Sequence, residues 1–257
     1  MTLVRHFPSE FGELLAPAAA HSPRSSARGK PRGAFRFAWI PAALGARKAL
    51  ECRRLLDRAL YPHLRPSLAP IDPQTVWGMR RNHDERLPKT MRFKTAILGA
   101  PRSQVFKAAA RINLIAMLRS ETLAAFAERV TGLPLCRGPG MQVIVYEAGD
   151  HVGPHNDHHP ENPQARRGYV DVHISLPNRG VAHQWLVYEE DGYLTRVCDC
   201  SSGGAVAVYR LPFWHYTTPL AAKKGREASA RRWLLLATFA IDWAKRDRRL
   251  RGHPSRA

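Results

Sequence analysis

The sequence predicts a mainly β protein: a double-stranded β-helix, or jelly roll, with supporting helices, preceded by an α-helical N-terminal region. Three observations predict it. Beyond Gly140 the chain breaks into about seven short runs rich in Val, Tyr, Trp, Thr and Leu, punctuated by Gly, Pro, Asn and Asp. Ahead of them lie longer stretches in which apolar residues recur at helical spacing between capping signals. No internal repeat is present.

Residues 1–35 are rich in Ala, Pro, Ser, Arg and Gly without sustained periodicity, so a basic, poorly ordered segment is expected there. Residues 36–135 are expected to be a helical region packed on the core. Within it, Leu44, Ala49, Leu55, Leu56 and Leu60 mark a helix over 44–60 that Pro62 stops. The proline-rich stretch 61–90 reads as a long connection, and Met91–Leu98 as a strand. Val105, Ala108, Ala109, Ile112, Ile115 and Ala116 share one side of an amphipathic helix over 104–118. Ser120 is a suitable N-cap for a further helix to Val130, closed by Gly132 and Pro134. The β core is expected over 136–243, with strands in 141–147, 168–176, 184–189, 193–197, 205–210, 214–218 and 233–241. Asp191-Gly192, between two such runs, is a hairpin signal. A basic tail occupies 244–257.

A chain of 257 residues with 44% hydrophobic and 24% charged residues can bury a substantial core. No run approaches the ~18 apolar residues of a membrane span, and the first residues lack the apolar h-region expected of a secretory signal. Four scattered cysteines, Cys52, Cys136, Cys198 and Cys200, fit free thiols better than a disulfide framework, so a cytoplasmic setting is expected. The net charge of +19 is unevenly placed. Residues 136–220 hold six basic against nine acidic residues, whereas 221–257 hold eleven against three. Basic flanks of this kind allow an anionic partner such as nucleic acid, although no nucleic-acid-binding motif is legible.

The chemistry-bearing stretch runs from Tyr146 to His159. His155 and Asp157 are one residue apart, so on an extended segment both side chains leave the same face. Together with a distant histidine they would form a facial 2-His-1-carboxylate set, which leaves the opposite face of a non-haem Fe(II) open. His215 is the candidate, 58 residues after Asp157, with room for the intervening strands. A third element is the pair Arg231-Arg232 at the start of the last apolar run. A guanidinium fork suits a carboxylate, and strand alternation lets only one of the two point into a barrel.

These residues resemble the Fe(II)/2-oxoglutarate oxygenases, most closely the prolyl 4-hydroxylase-like branch. That branch places a Gly three residues after a Tyr and an HxD nine residues after it, as Tyr146, Gly149, His155 and Asp157 stand here. Its distal His is followed four residues later by Pro, matched by Pro219, and then by a basic residue and an aromatic, matched by Arg232-Trp233. The loop between is longer than usual, and Arg replaces the family's Lys. The resemblance covers residues 120–241. It implies Fe(II) on His155, Asp157 and His215, with 2-oxoglutarate and dioxygen as cosubstrates. It also implies that Arg232 pairs with the distal carboxylate of 2-oxoglutarate and that Tyr146 supports it. An amino acid, a peptide or a small natural product would be hydroxylated or desaturated, and Asp157 occupies the place a halogenating relative leaves for a halide. Substrate identity is expected to lie in residues 1–90, which the resemblance does not reach.

Each residue also has a plainer reading. His155 can be a loop histidine oriented by Asp157, His215 a core histidine, and Tyr146 an ordinary strand aromatic. Either Arg231 or Arg232 can face the barrel. His151, His158 and His159 would swell the cluster toward a zinc site, and Asp171 and His173 share the polar face of their strand. A cupin-like metal protein of the same fold is the rival reading. Gly149, His155, Asp157 and Glu161 imitate its first motif, but Pro212-Phe-Trp-His215 does not supply the second.

Overall fold

A computed structural model describes residues 4–20, 35–72, 89–157 and 168–244. The expectations for the basic tail, for His158, His159 and Glu161, and for parts of the N-terminal segment and of the 61–90 connection therefore fall outside the described residues. In chain order the elements are α1 (Pro17–Ala20), β1 (Phe37–Ile40), α2 (Ala46–Ala59), β2 (Arg65–Pro70) and β3 (Thr90–Ile97). Three helices follow, α3 (Gln104–Arg111), α4 (Leu114–Leu118) and α5 (Glu121–Thr131). The remaining strands are β4 (Leu135–Glu147), β5 (His151–His155), β6 (Tyr169–Pro177), β7 (Val181–His183), β8 (Trp185–Glu190), β9 (Tyr193–Asp199), β10 (Ala205–Arg210), β11 (His215–Thr217), β12 (Ala221–Ala222) and β13 (Arg231–Ile241).

The strands join in one antiparallel sheet of order β1-β10-β6-β13-β4-β3-β5-β11-β8-β9, with β2 beside β3, and in a small β12-β7 pair. The large sheet curls until its ends meet. Phe37 of β1 lies 4.1 Å, ring to ring, from Tyr188 of β8 and stacks on Phe213 at 5.2 Å. The result is the expected jelly-roll, double-stranded β-helix architecture, mostly β with few helices.

Alternation on β13 separates two environments. Trp233, Leu235, Ala237 and Phe239 are buried in the main core with Leu56, Leu118, Leu123 and Phe126 from the helices. Arg232, Leu234 and Leu236 turn the other way and line the barrel interior. Full burial of one such large side chain contributes roughly 1.5–3 kcal/mol, so this helix-to-sheet layer is where most of the hydrophobic stabilisation lies.

Four local outcomes differ from the sequence expectation. The helix expected over 104–118 is two helices, because Asn113 takes a left-handed conformation (φ 60°) that Asn tolerates better than most residues. The break frees the Ile112 carbonyl, which accepts from Phe7 N at 2.8 Å. That contact bears on the second difference: residues 4–20 are not loose but dock on the core, with Phe7, Phe11, Leu14 and Ala19 buried. Third, beside the expected strand β3, the region expected to be helical contributes β1 and β2 to the sheet, and β2 falls in the expected connection. Its two prolines are tolerated because it is bordered by β3 alone. Fourth, β5, β7 and β12 are strands that the pattern of apolar runs did not mark.

Ser120 ties the N-terminal segment to the helices. Its Oγ accepts from Leu123 N, capping α5, and from Phe11 N, both at 3.2 Å. At the other end of α5, Gly132 provides the left-handed residue (φ 70°) that closes the helix. Ser120→Ala is therefore expected to lower unfolding stability by about 1–2 kcal/mol in urea titrations, since it removes a cap and leaves a buried amide without its acceptor.

Candidate metal centre

The turn from β4 to β5 sets the position of the first histidine. Asp150 accepts from Glu147 N at 2.8 Å and from Arg92 Nε at 2.8 Å. Gly149 adopts φ +79°, and its N–H donates to Leu220 O at 2.8 Å. A side chain there would be strained and would also meet the Arg92 guanidinium. The turn aims β5 back across β3 and β11, and His155 pairs across the ladder with His215.

His155, Asp157 and His215 come together. Their ligand-type atoms all lie within 4.8 Å of one another, with His155 Nε2 to Asp157 Oδ1 at 3.2 Å and His215 Nε2 to Asp157 Oδ2 at 3.6 Å. The reason differs from the sequence argument. Strand β5 ends at His155, and Asp157 lies beyond it in a left-handed conformation (φ 54°). The carboxylate therefore reaches the histidines from a turn, not from the same face of a strand. Asn156, buried between them, accepts from Phe213 N through its carbonyl at 3.2 Å and so links the turn to the approach to β11.

The hydrogen-bond inventory fixes both rings. His155 Nδ1 lies 2.8 Å from Gly153 O, and His215 Nδ1 lies 2.8 Å from Phe213 O. A carbonyl can only accept, so each Nδ1 carries the hydrogen and each ring, when neutral, turns the lone pair of Nε2 inward. Two imidazole nitrogens and a carboxylate on one side of an open space form a donor set suited to Fe(II) or another borderline divalent metal. Burial alone would raise the Asp157 carboxyl, but His155, His215 and His173 outweigh it and hold the acid well below the usual carboxylate range. Burial would lower His155, but Asp157 outweighs it and raises the imidazole above its ordinary value. Burial and then the neighbouring His155 push His215 down to about 4.

Arg232 faces the same cavity of about 330 Å³ as the three residues. It is 2% exposed. Its Nε donates to Gln184 Oε1 at 2.6 Å, its Nη1 to Ser175 Oγ at 3.3 Å, and its guanidinium sits 4.5 Å over the Tyr146 ring. Gln184 is held by its own amide, which donates to Asp150 O and Thr218 O, so its oxygen must point at the arginine. Among the described residues no carboxylate pairs with Arg232. Arg231 points to the opposite face, toward Asp57, Glu147 and the Tyr61 ring. Burial, more than the nearby Arg232, sets the Tyr146 hydroxyl, raising it to about 12.

Three polar residues that sequence reasoning did not place in the site complete it. Gln184 and Ser175 brace Arg232. Tyr209 donates to Asp157 Oδ2 at 3.4 Å, and its oxygen lies 2.8 Å from His173 Nε2. Since the carboxylate can only accept, the phenol hydrogen goes to Asp157 and the His173 ring presents its N–H to the phenol oxygen. The only signal for Tyr209 was its place in an alternating strand six residues before His215. His173 faces the interior as its strand pattern suggested, and burial pushes it down to about 3. Asp171 is buried beside it but does not line the cavity. His151 is drawn away to Thr90 and Gly149 and is no part of the cluster.

Fold and site together define a jelly-roll barrel with a candidate two-histidine, one-carboxylate metal centre and a buried arginine in the same cavity. No family model and no curated protein matches the chain. Among solved structures, similar folds include a 2OG-Fe(II) oxygenase family oxidoreductase from Burkholderia pseudomallei, at 16% identity over 79% of this chain and 84% of that one, TM-score 0.52. A Pseudomonas putida prolyl-4-hydroxylase is 16% identical over 81% of this chain and 94% of that one, TM-score 0.41. The non-heme alpha ketoglutarate dependent epimerase SnoN from nogalamycin biosynthesis is 13% identical over 80% and 78%, TM-score 0.47. The first of these likenesses shows the shared fold.

Mn(II) binding checks the centre in three ways. One equivalent of Mn(II), followed by electron paramagnetic resonance, is expected to bind the wild type, and His155→Ala or His215→Ala is expected to abolish binding. The affinity should fall as pH is lowered, because the metal must displace the proton that Asp157 favours on His155. Tyr209→Phe should keep the fold and weaken Mn(II) binding by about 10–100-fold, the usual cost of losing a partner that orients a ligand.

Proposed function

We propose that the chain is a non-haem Fe(II)/2-oxoglutarate-dependent dioxygenase. The observation that carries this reading is Arg232, a buried cation without a carboxylate partner among the described residues, facing the same cavity as His155, Asp157 and His215. Leaving a charge buried and unpaired costs several kcal/mol, so the site is completed by an anion. A cupin-like metal protein without keto-acid turnover has no need of such a residue. Likeness to the fold of a 2OG-Fe(II) oxygenase family protein is consistent with the proposal.

In this reading His155, Asp157 and His215 hold Fe(II), the end-on edge of Arg232 binds the distal carboxylate of 2-oxoglutarate, and Gln184 and Ser175 keep that edge aimed. The bound metal and keto acid would supply oxidative decarboxylation to succinate and carbon dioxide, with one oxygen atom of dioxygen entering succinate and the other an unactivated C–H bond of the substrate. The chain's own part is positioning and exclusion of water. Tyr209, kept protonated by burial and by the nearby Asp157 and Asp171, holds one oxygen of the metal-binding carboxylate. Ile144, Phe93, Leu234 and Val152 give the cavity an apolar wall that favours a C–H-rich substrate portion. An amino acid, a peptide side chain or a small natural product fits a space of this size. Trp39, Ile71, Asp72 and Met91 reach the cavity from the segment before residue 92, and they are the proposed selectors among substrates.

The test is 2-oxoglutarate binding to the anaerobic Fe(II) protein, read from the weak visible absorption of a keto acid chelated to iron. Arg232→Ala is expected to weaken it by about 10–150-fold, corresponding to ~1.5–3 kcal/mol for a hydrogen bond to a charged group. Arg231→Ala, on the outer face, should leave the keto-acid affinity near wild type. The reverse pattern would sink the assignment.

A further inference from the structure

A second cavity, of about 580 Å³, lies outside the barrel, where α2, the β6–β7 turn and the loop over 223–229 meet. Six cations line it: Arg53 and Arg54 from α2, Arg179 from the turn, and Lys223, Lys224 and Arg226 from the loop. No Asp or Glu does. Arg53 is paired with Asp57 through Nη1, and its buried Nε has no hydrogen-bond partner among the described residues. The other five make no side-chain hydrogen bond or ion pair with any described residue.

The side chains are unpaired, but the backbone that carries them is not loose. Lys223 N donates to Gly180 O at 2.8 Å, and Ser229 N and Ala230 N both donate to Arg226 O. Asn178 clamps loop and turn together, donating to Ser229 O at 2.6 Å and accepting from Gly180 N and Arg231 N. A surface that only needed solvation would have no cause to gather five unpaired positive charges around one concavity on a fixed frame. Like charges held together repel, and the low-dielectric walls of a cleft concentrate their field; an anion of several charges relieves both effects.

We propose that this cavity is a binding site for a small polyanion carrying clustered phosphates. A single carboxylate or phosphate would leave most of the five charges uncompensated, whereas adjacent phosphates offer each guanidinium fork and ammonium an oxygen. The volume lies within the usual range for small-ligand sites, and the concave, loop-bounded shape favours a compact ligand over an extended chain. The site is separate from the barrel and does not depend on the oxygenase reading.

Calorimetric titration of the full chain with inorganic tripolyphosphate tests it. Three proteins are compared: the wild type, a Lys223→Ala/Lys224→Ala/Arg226→Ala variant, and a Arg102→Ala/Arg111→Ala/Arg119→Ala variant that removes the same charge from exposed positions elsewhere. Thermal unfolding and circular dichroism verify that each variant is folded. The expected result is wild-type binding that weakens with added salt, a loss of at least about tenfold in the loop variant (1.4 kcal/mol), and near-wild-type affinity in the other. Absence of wild-type binding would overturn the proposal, and so would equal losses in both variants, which would indicate diffuse attraction to net charge. A nucleic-acid surface would be indicated instead if a single-stranded oligonucleotide bound in a loop-dependent way while tripolyphosphate did not.

Discussion

Successive residues of a β-strand must point to opposite faces, and this molecule depends on that constraint most at β13. The strand lies between β4 and β6 and is hydrogen-bonded to both, so its register cannot slip without moving the whole sheet. One face carries Trp233, Leu235, Ala237 and Phe239 into the layer shared with the helices. The other carries Arg232 into the barrel. The adjacent arginines consequently have unrelated duties. Arg231 lies over the Tyr61 ring and near Asp57 and Glu147, and joins the helical layer to the sheet. A shift of one residue would exchange an apolar core face for a polar interior, so the buried tryptophan and the cavity arginine fix each other's positions.

A polar barrel interior has to be balanced group by group, and the inventory shows how. Gln184 spends both amide hydrogens on carbonyls and its oxygen on Arg232. Tyr209 gives its hydrogen to Asp157 and receives one from His173. Asp171 is the exception: its Oδ1 has no partner among the described residues, and burial, followed by the charge of Asp157, pushes it up to about 7. Two carboxylates close together in a low dielectric do not both ionise easily, so Asp157 keeps its charge among three imidazoles while Asp171 is substantially protonated near neutrality. The same burial that makes Arg232 costly without a partner makes it a strong clamp for an anion that arrives.

What was legible in the sequence was whatever local chemistry decides. Ser120 and Gly132 bounded α5 because cap geometry needs those residues, and Asp191-Gly192 marked the β8–β9 hairpin because both take positive φ there. His155, Asp157 and His215 were legible as a spacing, and the structure brings them together. What was not legible depends on partners distant in sequence. Strand β2 contains two prolines and is a strand only because β3 lies beside it. Asn113 breaks a helix whose apolar pattern continues across it, and the carbonyl that the break frees meets Phe7, 105 residues earlier. The choice between Arg231 and Arg232 could not be made from two identical neighbours, since it rests on the register of β13. Gln184 and Tyr209 look like ordinary strand residues until the arginine and the carboxylate they serve are in place.

The chain also divides the work of the proposed reaction by position. The groups proposed to hold metal and keto acid come from β5, the turn after it, and β11 and β13, all in the part of the sequence whose spacings carry the family resemblance. The cavity walls contributed by Trp39, Ile71, Asp72 and Met91 come from strands and strand ends of the preceding part, where no such spacing was found. Those segments enter the sheet through backbone pairing, β1 on β10 and β3 on β4 and β5, which places few demands on side-chain identity. Side chains there can change without disturbing the ligand geometry, because the register is held by main-chain bonds and the metal-facing residues belong to other strands. The arrangement lets one reaction centre be fitted with different walls, and it explains why the sequence speaks clearly about chemistry and hardly at all about substrate.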